Sequence, residues 1–133
     1  MAHFESKLVH VAKESSFVYS YLADFRNFGT VMPEQIKDWK ATEDTCSFTI
    51  PNMATISMRY KDKISDKRLS IVPEGGPLPF ELICEFDSAA AGQCNIKVSI
   101  DADLNPILSM MASKPLQSLV DLIAQQIEVK FNS

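Results

Sequence analysis

Three side chains in this 133-residue chain stand out as candidates for moving a proton: His10, Tyr60 and Asp62. Tyr60 and Asp62 stand two residues apart in ISMRYKDKI, where apolar and polar residues alternate. On a strand they share one face with Ile56, Met58 and Ile64. A carboxylate beside a phenol, against an apolar wall, has a perturbed pKa and can act as acid or base. His10 follows Phe4 and Leu8 at even spacing and by the same counting shares their face. There it would be a general base or a donor to a ligand head group. Each also has a bland reading. An Asp near a hairpin past the rim of a core is solvated, and a lone His with no nucleophile or fixed carboxylate beside it is structural. His3 stands near a chain end and draws less interest still.

The methionines form a second group. Met58 falls on the inward face, Met110 and Met111 on a terminal helix, and Met32 and Met53 near loops. Flexible, polarizable side chains suit a pocket that adapts to ligand shape, and they equally suit the filling of core gaps. Metal binding has no support, because the chain holds no paired-His motif, no C-x-x-C and no acidic loop of regular ligand spacing. The glycines form no phosphate cradle, and Gly75-Gly76 between prolines reads as a hairpin loop. No cofactor is expected. Trp39, the one tryptophan, is a core or rim aromatic whose N–H needs a partner if buried.

The elements that must position these residues follow from pattern. Residues 3–11 suit a first strand. Ser15 and Ser16 offer caps to a helix carrying Phe17, Val18, Tyr21, Leu22 and Phe25, and Gly29 and Pro33 bracket a second short helical turn. From Ile36 to Ala102 the period becomes two. Cys46, Phe48 and Ile50 precede a turn at Pro51-Asn52-Met53. The Tyr60 strand ends at a turn at Asp66-Lys67, and Leu69 and Ile71 lead to Pro73-Glu74-Gly75-Gly76-Pro77. Two further strands place Phe80, Leu82, Cys84 and Phe86, then Cys94, Ile96, Val98 and Ile100, on one face. Such short connections imply antiparallel pairing. Last, Leu108, Met111, Leu116, Leu119, Val120, Ile123 and Ile127 recur at helical steps, with Asn105 as cap and Pro106 in the first helical position. Pro115 predicts a kink near Lys114. Only this helix is long enough to cover a sheet with one apolar face.

Composition agrees with one domain over residues 1–133, since 46% apolar and 23% charged residues suit a packed core. A formal charge of −4 without a basic stripe argues against nucleic acid and against an anionic membrane. No apolar run reaches the ~20 residues that span a bilayer, so no stable membrane insertion is expected. Three cysteines, each on an apolar strand face, predict a cytoplasmic, thiol-reduced protein.

The stretches ESSFVYSYLADFRNFGTVMP and DADLNPILSMMASKPLQSLVDLI, in this order of elements, resemble the helix-grip superfamily of START-like (SRPBCC) proteins. That superfamily includes birch-pollen-allergen-like, lipid-transfer and polyketide cyclase/dehydrase-like members; the chain is most similar to small bacterial ones without an assigned reaction. The resemblance covers nearly the whole chain. It implies an α+β fold in which a curved antiparallel sheet of six to seven strands wraps a long C-terminal helix, with two short helices after strand 1. It also implies a cavity for a small apolar or amphipathic ligand. The residues expected to line it are Phe48, Ile56, Met58, Tyr60, Leu82, Ile96, Val98, Met111 and Leu119. Two alternatives stay open: a cyclase/dehydratase-type enzyme using His10, Tyr60 or Asp62 in that cavity, and an interaction module whose cavity is filled. Oligomeric state is left open.

If the compartment argument holds, thiol titration of denatured protein prepared without air finds Cys46, Cys84 and Cys94 all free. A disulfide between any two of them in cytosolic material overturns it.

Overall fold

A computed structural model describes residues 2–34, 36–50, 54–75 and 79–132. Met53 and the turns expected at Pro51-Asn52-Met53 and at Gly76-Pro77 lie outside the described residues. The strands are β1 (Ala2–Glu5), β2 (Val9–Val11), β3 (Lys37–Ala41), β4 (Thr45–Ile50), β5 (Ala54–Ile64), β6 (Arg68–Pro73), β7 (Phe80–Ala90) and β8 (Gln93–Ala102). They form one antiparallel sheet in the order β1-β8-β7-β6-β5-β4-β3, with β2 also on β8. Helices α1 (Ser15–Leu22) and α2 (Phe25–Phe28), then a 3₁₀ turn (Gly29–Val31), follow β2, and α3 (Pro106–Phe131) closes the order.

The eight strands exceed the expected number because the first strand is broken. Glu5 faces Ser99 and Val9 faces Ile96, so β1–β2 carries one residue more than β8 between those pairs. Ser6 holds the break: its N–H donates to the Val98 carbonyl and its hydroxyl oxygen accepts from the Val98 N–H. One extra residue reverses every side chain beyond it. Phe4 points inward, then Val9 and Val11 do, and Leu8 and His10 turn to the outer face.

The inner face is covered from two sides. Helix α3 packs on β1, β2, β8 and the 3₁₀ turn through Ala112, Leu116, Val120, Ile123, Ala124, Ile127 and Phe131, a stripe of four- and three-residue steps. Helix α1 packs on β7–β8 beside it, and α2 covers the opposite wing at β3–β4. The terminal helix is therefore not the sole cover. Ser15 is the first residue of α1 rather than its cap, and its hydroxyl lies 3.1 Å from that of Ser88. Asp24 does cap α2, accepting from the Arg26 N–H at 2.9 Å. Helix α3 runs through Pro115 as a single element, and in the turn before it Ser113 donates to the Ser109 carbonyl at 2.5 Å.

Fully burying an aliphatic or aromatic side chain stabilises by about 1.5–3 kcal/mol. The residues that α3 buries from Leu116 onward rival the ~5–15 kcal/mol net stability of a typical domain. A chain ending at Lys114 is therefore expected to be unfolded or aggregated. A cooperative melt near the parent's temperature, read by circular dichroism, would show that α1 and α2 suffice as cover.

Candidate functional site

The enclosed space between sheet and helix lies where β4, β5, β7 and β8 meet the first half of α3. Its wall is Met32, Phe48, Ile56, Met58, Phe80, Leu82, Ile100, Leu116 and Leu119. Every one of these side chains is apolar. Phe48 opposes Ile56 across β4–β5 and Leu82 opposes Ile100 across β7–β8, so two cross-strand pairs form the floor. Leu116 and Leu119 close it from above, while Met32, Phe80 and Leu119 are only partly buried and form its mouth. The cavity volume is about 10 Å³. That is room for about one water molecule, and an apolar space of this kind stays dry.

Of the expected lining, Phe48, Ile56, Met58, Leu82 and Leu119 are in this wall. Ile96 and Val98 share the inner face and are fully buried, but they stand four and two residues before Ile100 on β8. At ~3.3 Å per residue that places them about 13 and 7 Å along the strand, in packed core. Met111 is a correction: it is 69% exposed, because Ala112 holds the position one turn before Leu116 and Met111 lies ~100° around the helix from it. Met110 is likewise exposed. Met32, Phe80, Ile100 and Leu116 were not foreseen as lining. Phe80 and Ile100 carried the right alternation, and what was missing was their level along the strands.

The three proton-moving candidates are not brought together. Tyr60 is on the inner side, stacked on Phe25 at 4.0 Å, with its hydroxyl donating to the Leu22 carbonyl at 2.6 Å. The bond ties β5 to the end of α1, and burial pushes the phenol's pKa well up. Asp62 is a correction. The β5–β6 register slips by one residue between Tyr60 and Asp62, so Asp62 faces Ser70 on the outer side and is exposed. Lys63 takes the inner side instead and lays its ammonium 4.5 Å from the centre of the Tyr60 ring. His10 is exposed on the outer face, its Nδ1 2.9 Å from Asn95 Oδ1. Ile64 turns outward with Asp62.

The three cysteines are buried and unpaired, and burial pushes the Cys46 and Cys84 thiols up to about 12. These are inert core thiols rather than nucleophiles. Among the described residues no cluster of three His, Cys, Asp or Glu side chains could hold a metal ion. A larger concavity, about 770 Å³, lies open on the outer face between Leu8 and Ile64, over Arg68, Glu85, Asp87, Asn95 and Lys97. Two of its cations are already engaged, Lys97 with Glu5 at 3.3 Å and Arg68 with Glu81 at 3.9 Å. It is a solvated sheet surface.

Known structures share this architecture. A START superfamily protein from Mycobacterium smegmatis superposes with a TM-score of 0.70 at 13% identity, over 97% of this chain and 96% of that one. XoxI from Bacillus cereus gives 0.70 at 13% identity over 98% and 96%. Norcoclaurine synthase from Thalictrum flavum gives 0.69 at 9% identity over 95% and 86%. The chain thus has the START-like helix-grip fold, α+β, with two short helices after the first strand and a long C-terminal one. No protein-family model and no curated protein matches its sequence. No helix among the described residues is long and apolar enough to cross a membrane.

The contrast between Tyr60 and Asp62 is measurable. Tyr60→Phe removes a hydrogen bond and leaves the Leu22 carbonyl without that donor, so it should cost about 0.5–1.5 kcal/mol in urea unfolding. Asp62→Asn and His10→Ala, both exposed, should stay within about 0.5 kcal/mol of the parent. A loss for Asp62→Asn as large as that for Tyr60→Phe would place its carboxylate on the inner face.

Proposed function

We propose that the chain binds a small apolar molecule between the sheet and α3, at the cavity bounded by Met58, Leu82 and Leu116. The observation that carries this reading is an enclosed space whose wall is entirely apolar, with partly buried side chains at its mouth. Such a wall rewards hydrocarbon and penalises charge. Because the free volume is about 10 Å³, the ligand must displace side chains. Met32 and Met58, with unbranched flexible chains, are the ones best able to move. The fold of the START superfamily protein adds support by likeness alone.

The same small volume favours a second reading: a filled core in a protein that works through its surface. An enzyme of the cyclase/dehydratase type has less support. A synthase does share the fold, but His10 and Asp62 lie outside the cavity and the Tyr60 hydroxyl is spent on Leu22. Three unpaired buried cysteines fit a reducing cytoplasm, and the acidic balance does not suit nucleic acid as partner.

The test is titration of the full chain with the neutral fluorophore N-phenyl-1-naphthylamine. A bound ligand should give saturable 1:1 enhancement and a melting temperature that rises with the logarithm of its concentration. Met58→Trp overfills the space, so it should abolish binding and cost about 1–3 kcal/mol. No saturable binding and no thermal shift in the parent would leave the filled-core reading standing.

A further inference from the structure

Three separate features of the chain single out Trp39. First, the register of β3 on β4 slips between Lys37 and Lys40, and Asp38 within the slip has φ 56°, a left-handed conformation that non-glycine residues rarely adopt. Bulges of this kind re-aim side chains. Here the indole stacks on Phe48, centroids 5.5 Å apart and planes at 23°, and meets Phe25 edge-on at 6.5 Å. Second, Gly29 has an ordinary helical conformation and is needed for room instead: a Cβ there would lie 2.4 Å from Trp39 Nε1. Third, Nε1 is buried and donates to nothing, the one such side-chain nitrogen or oxygen among the described residues. A buried unpaired donor is costly, and backbone strain beside it adds to the cost.

The location says what the donor could serve. Phe48, on which the indole stacks, is a wall residue of the apolar cavity. Gly29, against which Nε1 lies, is three residues before Met32, another wall residue at the mouth. The indole therefore stands one side chain outside a cavity whose own wall offers no polar group.

We propose that Trp39 Nε1–H is the polar anchor of the cavity's ligand, taking its single hydrogen-bond acceptor once Met32 and Phe48 give way. The ligand class is then a neutral, mostly hydrocarbon molecule with one acceptor and no donor: a ketone, ester or ether. An alcohol would bury a hydroxyl donor without a partner, and a carboxylate would bury a charge. This rests on the reading that the cavity takes a ligand.

Two probes of equal heavy-atom count, 2-nonanone and decane, test it on the full chain by displacement of N-phenyl-1-naphthylamine. The parent should bind both. Trp39→Phe keeps the ring packing and removes the donor, so it should weaken 2-nonanone on the order of tenfold and leave decane unchanged. The chain's one tryptophan also gives one indole N–H resonance, which 2-nonanone should move downfield in the parent and decane should not. That readout needs no variant to fold. Both probes binding, with an indole resonance indifferent to the ketone and equal effects of Trp39→Phe on each, overturns the anchor and spares the cavity. Neither probe binding to the parent overturns the cavity reading and the anchor with it.

Discussion

The structure depends on one constraint: a sheet with a continuous apolar face has to keep water off that face along its whole width. Strand β8 contributes Cys94, Ile96, Val98, Ile100 and Ala102 to it, all buried, and α3 lies over this wing. The stripe from Ala112 to Phe131 turns at the helical period, so one helix serves a wing of strands. Toward the β3–β6 wing it meets Phe48, Ile56 and Met58 around the cavity, through Leu116 and Leu119. Beyond them α2 packs on β3–β4, with Phe25 stacked on Tyr60 and the Tyr60 hydroxyl bonded to the last carbonyl of α1. Closing the sheet from two sides is what creates an interior between the covers.

That interior is nearly full. Phe48, Met58, Phe80 and Leu82 come from the sheet and Leu116 and Leu119 from the helix, leaving about 10 Å³. Packing and ligand space compete for the same volume, since each added methylene gains burial and removes room. The first turns of α3 lean toward openness. Ile107, Met110 and Met111 face solvent, and of the side chains described before Pro115 only Ala112 is fully buried. This end of the helix therefore grips the sheet more weakly than the rest, and it is the end beside the cavity.

Which chemistry reaches the interior is decided by single-residue slips in strand pairing. The slip at Ser6 sends His10 to the outer face. The one after Tyr60 sends Asp62 out and brings Lys63 over the ring. The one at Asp38 brings Trp39 in. Each moves one residue and reverses the faces beyond it, because side chains alternate with a period of two. The interior consequently has no carboxylate or imidazole from the candidate set; an indole ring is stacked behind its wall residue Phe48.

The sequence by itself determined the kinds of element and their order. Alternation over Ile56–Tyr60 and Phe80–Phe86, and the three- and four-residue steps from Leu116 to Ile127, are local patterns, and local patterns follow from backbone geometry alone. They also put Phe48, Ile56, Met58, Leu82 and Leu119 inside, because those residues lie in uninterrupted runs. Tertiary structure decided the rest. A bulge such as that between Tyr60 and Asp62 arises where a strand must stay paired with β6 while the sheet bends, so its place depends on a partner strand and leaves no mark in one strand's own alternation. The level at which Ile100 meets the cavity while Ile96 and Val98 do not depends on where α3 crosses β8. Met111 reads as apolar and helical, yet it faces solvent because the phase of α3 is set by the packing of Leu116, Val120 and Ile123 against the sheet.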